Sequence, residues 1–415
     1  MIQNALNYLE KLLRTDVRYA IKGFFWFGIE HSVSTLTGIA SSVAFANLLL
    51  PETYGIFKYI LSLLPFLGLS TLNKLDDSLT ISVAKGFEGD IINVLKTKIK
   101  WGLLGSAAGL GLSLYYYFGG NQTLALLVAI LAIFVPLFNT PLIYGNYLMG
   151  EKKFRTAAVI NSTSSVIYSI AIIVAVLFSK NVFVIVLIYF IINTIVRFAS
   201  FYYVIKKYPP NENKEEKTID YGKKINMLEI INTISASIDN ILVFHYLGAA
   251  ELAAYTFIKK VPENLKFIPR FLTTLSTPKF SQSDIGNPKV KKEVVRKTVI
   301  FYSGMALIIL AYILAAPFIF NLLFKPYKDY VLYSQIYAFS FALNFGGLYL
   351  NFLETTRRVR SVISLHLTTS LLSIIVMLVS LKFYGLLGLV VGYSIIRFLS
   401  SVIRYIYFKK AESVI

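Results

Sequence analysis

Residues 124–149 read LALLVAILAIFVPLFNTPLIYGNYLM and contain no charged side chain. A helix of about 20 such residues is long enough to cross the hydrocarbon core of a bilayer. Comparable stretches recur along the chain. They predict twelve membrane-spanning helices, over 23–49, 56–73, 101–118, 124–149, 157–178, 182–204, 225–247, 252–276, 299–323, 331–352, 361–381 and 384–406. We therefore expect an all-α polytopic membrane protein.

The composition supports this fold class. Of the 415 residues 56% are hydrophobic and only 15% are charged, and the mean hydropathy is +0.64. About a quarter of the residues are charged in a typical soluble chain, so a soluble enzyme, a disordered chain and a fibrous protein are excluded. The chain has no cysteine, and its three histidines lie far apart. We expect no enzymatic activity, no metal site and no cofactor.

The basic residues predict the orientation in the membrane. The net charge is +19, and 30 of the 41 Lys and Arg lie before the first span, in loops on that same side, or at the end of the last span. Only four, Lys180, Lys325, Lys328 and Lys382, lie in the opposite loops. Because cytoplasmic loops carry the excess of Lys and Arg, we expect both termini in the cytoplasm of a multi-pass cell-membrane protein. This distribution accounts for the charge without a nucleic-acid partner.

The chain reads as two related halves. A polar segment over 206–222 is typical of a cytoplasmic linker, and it separates a predicted six-helix bundle over 1–205 from a second over 223–415. Residues 137–155 and 342–360 match at a shift of 205, with both Asn, a Tyr, a Leu and three basic positions in common. Residues 197–200 (RFAS) and 397–400 (RFLS) match at a shift of 200. Such a repeat predicts a pseudo-two-fold axis along the membrane normal and a substrate site between the halves.

Polar residues recur at helical spacing in the first two spans of each half. Charged residues within spans are costly and tend to face a bundle interior or a wet cavity, so we expect these side chains to line a charged cleft. The members are Glu30, Ser34, Thr37 and Ser41 in the first span, Lys58 in the second, Glu229, Asn232 and Asp239 in the seventh, and Lys259, Glu263, Lys266 and Arg270 in the eighth.

Simpler structural roles stay open for several of these residues. Serine and threonine in membrane helices often bond only to backbone or to a neighbouring helix. Lys266 and Arg270, and separately Arg197 and Arg397, can extend toward lipid headgroups at the cytoplasmic ends of their spans. Asp239 can have a fixed partner, such as a lysine, instead of binding an ion.

Several turns resemble those of one transporter family. Residues 48–57 (LLLPETYGIF) resemble the turn after the first span of the Wzx-type polysaccharide and O-antigen flippases, the polysaccharide-transporter branch of the multidrug/oligosaccharidyl-lipid/polysaccharide exporter (MOP) superfamily. The similar positions continue, in the family's order, through Asp239 and 246–255 (YLGAAELAAY), 275–281 (LSTPKFS), 322–327 (LLFKPY) and 384–388 (YGLLG). Leu50 and Ala253 depart from the family pattern, which has glycine at both positions.

The resemblance implies a fold and a function. It implies two six-helix bundles in the V shape of the MATE transporters, and alternating access through a cationic central cavity. Its substrate would be a polyprenyl-diphosphate-linked oligosaccharide, flipped from the cytoplasmic to the outer leaflet for cell-surface polysaccharide biosynthesis. Expected partners are the lipid bilayer and, in the same process, polysaccharide polymerase and glycosyltransferases. The alternatives are an ion-coupled multidrug or small-solute antiporter of the same superfamily and a non-transporting scaffold for glycosyltransferases.

Within that reading we assign roles to the polar residues. A diphosphate needs cationic hydrogen-bond donors, and the assigned donors are Lys58, Lys259, Lys266 and Arg270. Glu30 and Asp239, carboxylates well inside their spans, are assigned to coupling with H⁺ or Na⁺. The remaining cavity-lining residues are Ser34, Thr37, Glu229, Asn232 and Glu263.

Overall fold

The computed structural model describes residues 17–215, 217–267, 269, 287–355 and 359–411, and all regular secondary structure in these ranges is helical. The helices are α1 (Val17–Leu48), α2 (Pro51–Leu67), α3 (Leu75–Ala84), α4 (Asp90–Phe118), α5 (Gln122–Phe138), α6 (Ile143–Gly150), α7 (Phe154–Phe178), α8 (Val182–Lys207), α9 (Thr218–Leu247), α10 (Ala249–Lys260), α11 (Pro288–Leu323), α12 (Val331–Phe339), α13 (Gly347–Thr355) and α14 (Val359–Lys410). The all-α fold class is confirmed.

The predicted spans fall on these helices. Six helical segments in the described ranges are long and apolar enough to cross a membrane, and the total of twelve spans stays a prediction. The last two predicted spans both lie in α14, which is divided at Gly385, where φ is 58°. The span over 252–276 is described only up to residue 267 and at 269.

Turn residues set several helix boundaries. Helix α2 starts at Pro51, whose missing N–H costs nothing in the first turn of a helix. Gly248 separates α9 from α10 at a φ of 91°, a backbone conformation that favours glycine. The side chains of Asn121 and Asn287 accept hydrogen bonds from the first turns of α5 and α11. These caps satisfy amide groups that have no partner within the helix.

The predicted spans 124–149 and 331–352 are each interrupted at a similar point. Helix α5 ends at Phe138, and a 3₁₀ turn over Thr140–Leu142 leads into α6. Helix α12 ends at Phe339, and successive turns reach α13 at Gly347. Pro141 supplies no amide N–H in the first interruption, which explains why the α-helical hydrogen-bond pattern stops there.

The described residues divide into two compact units, 17–237 and 238–411. The boundary follows the predicted linker (206–222) by several turns, because the start of α9 is bonded to the first unit. Ser78 Oγ donates to the carbonyl of Thr218 at 2.5 Å, and the Lys74 amide donates to Asn226 Oδ1 at 3.3 Å. The predicted linker therefore contains the end of α8, an irregular stretch and the first turn of α9.

The irregular part of that linker is bonded to the loop before α4. Asn211 and Glu88 exchange two amide-to-side-chain hydrogen bonds of 3.0 and 3.1 Å. The carboxylate of Asp90, which is 3% exposed, accepts from Thr218 Oγ1 at 2.7 Å and from the Glu215 amide at 3.2 Å. This stretch is thus hydrogen-bonded to the first unit, while residues 211–214 stay exposed.

Candidate functional site

The second unit contains a connected network of charged and tyrosine side chains, and Asp239 on α9 is its most buried carboxylate. Only 3% of Asp239 is exposed. Its Oδ2 atom accepts from Lys259 Nζ at 2.6 Å, Tyr255 Oη at 2.7 Å and Tyr393 Oη at 2.6 Å. The Lys259 ammonium also lies 4.1 Å from the centre of the Tyr255 ring. Three donors on one oxygen keep this carboxylate satisfied as an anion.

A second carboxylate extends the network beyond the end of α10. Glu263 lies in the 3₁₀ turn Pro262–Lys266, and both its oxygens are 2.6 Å from Lys266 Nζ. Tyr337 Oη on α12 donates to Glu263 Oε1 at 2.5 Å. The rings of Tyr337 and Tyr393 meet edge to face at 5.2 Å and so connect the two carboxylate sites.

Arg397 completes the network from α14. It is 9% exposed, donates to Tyr337 Oη at 3.1 Å and is hydrogen-bonded to Ser340 Oγ. Its guanidinium carbon lies 3.7 Å from the centre of the Phe341 ring. The acceptors of Arg397 in the described ranges are neutral. The network thus joins three cations (Lys259, Lys266, Arg397) to two carboxylates (Asp239, Glu263), so it has a net charge of +1.

The predicted stripe on the eighth span is partly recovered. The α-helix stops at Lys260, and a 3₁₀ turn starts at Pro262. Lys259, Glu263 and Lys266 still reach one network, although they do not share one continuous α-helix. Arg270 lies outside the described residues.

The pairing of Asp239 with Lys259 differs from the roles assigned by sequence. From the sequence, the carboxylate was assigned to ion coupling and the lysine to the diphosphate. In the structure they form an ion pair, which corresponds to the fixed-partner alternative that the sequence left open. Lys58 lies half-buried on α2, in the first unit, and its predicted part in diphosphate binding stays a prediction.

The first-span residues make contacts within the first unit. Glu30 is partly buried, and its Oε1 atom accepts from Asn161 on α7 at 2.9 Å, while its Oε2 atom has no hydrogen-bond partner in the described residues. Thr37 donates to the carbonyl of Val33 at 2.9 Å, the local backbone bond that the simpler reading allowed. Ser34 is exposed. Glu229 and Asn232 lie on α9, and their side chains lie outside the part of the chain that is described.

Sequence reasoning missed the three tyrosines and placed Arg397 differently. Tyr255 precedes Lys259 by four residues, and Tyr393 precedes Arg397 by four, so each pair shares one helix face. That spacing is the signal that could have found Tyr255 and Tyr393, whereas Tyr337 has no charged residue four positions away. Arg397 does not extend toward headgroups, because its guanidinium is buried against Tyr337 and Phe341.

Comparison with solved structures identifies the fold as that of MATE transporters of the MOP superfamily. A MATE protein in complex with MaD5 is 14% identical, with a TM-score of 0.66 and 96% of each chain covered. A MOP superfamily transporter from Pyrococcus furiosus Vc1 is also 14% identical, with a TM-score of 0.66 and 96% of each chain covered. The inward-facing multidrug resistance MATE transporter is 11% identical, with a TM-score of 0.59, over 93% of this chain and 97% of that one.

The family follows from the sequence. The profile of the polysaccharide biosynthesis protein family matches residues 20–284, well over half of the chain. The chain belongs to this family. No curated protein matches it. Its fold is that of the MATE transporters, and the six candidate spans in the described ranges indicate a multi-pass membrane protein.

Proposed function

We propose that this protein flips a polyprenyl-diphosphate-linked oligosaccharide from the cytoplasmic to the outer leaflet of the cell membrane by alternating access. The headgroup of such a lipid combines many hydroxyl groups with negative charge, and it cannot cross hydrocarbon unaided. A transporter for it needs cations to hold the diphosphate and a polar surface for the sugar. Membership of the polysaccharide biosynthesis family supports this substrate class.

The observation that carries the proposal is the excess of cations in the network of the second unit. Lys259 and Lys266 are each paired with a carboxylate, whereas Arg397 is buried against neutral acceptors. The lysine–carboxylate pairs hold the lysines in place without cancelling the net positive charge. A diphosphate would exchange these contacts for charge-assisted hydrogen bonds worth about 1.5–3 kcal/mol each. Arg270, which lies outside the described residues, is proposed as a further cation for the diphosphate.

Ion coupling is assigned in the proposal mainly to Glu30. Asp239 has three donors on one oxygen, whereas Glu30 has one oxygen without a hydrogen-bond partner in the described residues. A carboxylate with a free oxygen is the better acceptor for H⁺ or Na⁺, since a buried polar atom without a partner is costly. Polysaccharide polymerase and glycosyltransferases remain the proposed partners in the same process.

The alternative of a multidrug or small-solute antiporter draws support from the fold, since one structural neighbour is a multidrug resistance transporter. An organic cation would need free carboxylates next to aromatic rings. Asp239 and Glu263 adjoin tyrosines but are already bound to lysines. A glycosyltransferase scaffold would have no need for buried charges. The network therefore favours an anionic substrate.

The test is translocation by the purified protein in liposomes. The probe is a polyprenyl diphosphate carrying a fluorescent oligosaccharide, and a membrane-impermeant reductant that quenches the dye reports which leaflet holds it. The protein should bring inner-leaflet probe to the outside, and the same sugar on a neutral polyprenol should move far more slowly. Rates equal to those of protein-free liposomes, together with gradient-driven uptake of an organic cation, would replace this function with antiport.

A further inference from the structure

The two interrupted helices of the repeat are closed by equivalent arginines. In the first unit, the carbonyl of Phe138 would accept from the amide of Leu142 in a continuous helix, but that amide donates to Asn139 O at 3.1 Å. Arg197 Nη1 donates to the Phe138 carbonyl instead, at 2.7 Å, and its guanidinium lies 4.0 Å from the centre of the Phe138 ring. The arginine thus satisfies a carbonyl that the interruption leaves without its helical partner.

The second unit repeats this arrangement. The amide of Phe341, which would bond to the carbonyl of Tyr337 in a continuous helix, donates to Ala338 O at 3.0 Å. Arg397 Nη1 lies 3.4 Å from the Tyr337 carbonyl, which also accepts from Ser340 Oγ at 2.5 Å. Arg197 and Arg397 are the arginines of the matching RFAS and RFLS segments. In both units of the repeat, an arginine therefore contacts a carbonyl that the interruption leaves without its helical partner.

The two arginines differ in their other hydrogen-bond acceptors. The other acceptors of Arg197 are the amide oxygens of Asn139 and Asn193, at 3.0 and 3.4 Å. Arg397 instead donates from Nη2 to Tyr337 Oη, which donates to Glu263, which binds Lys266. A chain of contacts thus leads from Arg397 to an exposed cation of the network. Among the described residues, the hydrogen bonds of Arg197 end on neutral acceptors and lead to no cation.

We propose that Arg397 is a positioning residue of the headgroup site: it orients the Tyr337 hydroxyl and so fixes the Glu263–Lys266 pair, whereas Arg197 only closes its helix. A guanidinium can make both contacts because its planar group has several N–H donors. Nη1 faces the Tyr337 carbonyl, and Nη2 donates to the Tyr337 hydroxyl. The single ammonium group of a lysine at 397 could reach the Tyr337 carbonyl or the Tyr337 hydroxyl, but not both. The part of this inference that concerns transport rests on the proposed function, and the part that concerns the Lys266 environment does not.

The first test is chemical and needs no substrate. Lys266 in the purified full-length protein is acylated with a water-soluble amine reagent, and its modification rate is followed by peptide mass spectrometry. Arg397→Lys and Tyr337→Phe should each raise the rate by about tenfold or more, the effect of losing one charge-assisted bond. Arg197→Lys, the matched control, should leave the rate as in the wild type. Unchanged rates in both second-unit variants would overturn the proposal.

The second test separates positioning from general destabilisation. Half-saturating concentrations for the polyprenyl-diphosphate probe are measured in liposomes for Arg397→Lys, Tyr337→Phe and the double variant. If Arg397 acts through Tyr337, the double variant should be no worse than the worse single variant. When Arg197→Lys and Tyr337→Phe are combined, their separate fold-changes in half-saturating concentration should multiply. Multiplying effects for Arg397→Lys and Tyr337→Phe would contradict the inference, whereas a wild-type protein that moves no probe would contradict the proposed function alone.

Discussion

Lys259 and Asp239 form an ion pair of 2.6 Å between α10 and α9, with the aspartate almost completely buried. Two tyrosine hydroxyls bind the same carboxylate oxygen. The pair therefore has the hydrogen bonds that a buried ion pair needs to offset its loss of hydration. Each buried charge is therefore stabilised by the other, and removing either one leaves its partner uncompensated.

Asp239→Asn and Lys259→Met should each destabilise the protein strongly, and the double variant should recover much of the loss. Removing one partner of a buried pair leaves an uncompensated charge and costs about 3–5 kcal/mol, whereas removing both is often nearly neutral. The measurement is the Tm of the detergent-solubilised variants. A double variant no more stable than the worse single variant would mean that the two residues are not an energetic pair.

The coupling prediction concerns Glu30. Glu30→Gln should abolish the dependence of transport on an imposed H⁺ or Na⁺ gradient, because the amide binds neither ion as a carboxylate does. Asp239→Asn should lower stability, and the gradient dependence should persist in the protein that remains folded. Transport in liposomes with and without each gradient provides the measurement. Gradient-dependent transport by the variant carrying both substitutions would remove carboxylate coupling from the account.

The topology prediction uses the absence of native cysteine. Single cysteines at Gln122 and Glu212, both exposed, should react with a membrane-impermeant maleimide from opposite faces, the second from the cytoplasm. The reason is the 30-to-four division of basic residues between the two sets of loops. Labelling of both positions from one face would overturn the predicted orientation of the repeat.

Close packing of α4 predicts a difference between two glycines of that helix. A Cβ at Gly105 would lie 2.3 Å from the carbonyl oxygen of Leu67 and 2.9 Å from Val135 Cγ1, whereas one at Gly111 would meet nothing within 4 Å. Gly105→Ala should lower the Tm, and Gly111→Ala should leave it unchanged or raise it slightly, because alanine favours helix by up to about 1 kcal/mol. Equal effects of the two substitutions would contradict this packing of α4.

Much of the fold could be predicted from the sequence because membrane spans are long apolar helices that need few tertiary contacts to recognise. Pro51 and Gly248 also marked turns that the structure places where the resemblance put them. The interruption near Asn139 was missed, although Pro141 was the sign of it, because the run 124–149 was interpreted from its length and its lack of charge alone. The hydrogen bonds that hold 211–218 to the loop before α4 were missed for another reason, because they join residues more than a hundred positions apart.

The candidate site was predicted in part for a similar reason. Helical spacing identified Lys259, Glu263 and Lys266, which the structure brings into one network. Spacing along one helix cannot show which residue of another helix lies opposite. Asp239 therefore seemed an isolated carboxylate until the structure showed its contacts with Lys259 and Tyr393. For Arg397 the sequence left open an extension toward headgroups, because its position in the span can be read from the sequence and its hydrogen-bond acceptors cannot.

The central claim, that the cations of the second unit hold the diphosphate, is tested most directly by translocation with charge-removing variants at equal protein levels. Lys266→Ala and Lys259→Ala should each slow the polyprenyl-diphosphate probe about tenfold or more, as expected for losing a charge-assisted contact of ~1.4 kcal/mol or more. Lys297→Ala, which removes a surface lysine paired with Glu293, serves as the control and should keep the wild-type rate. Wild-type rates in a folded protein lacking both Lys259 and Lys266 would contradict the claim.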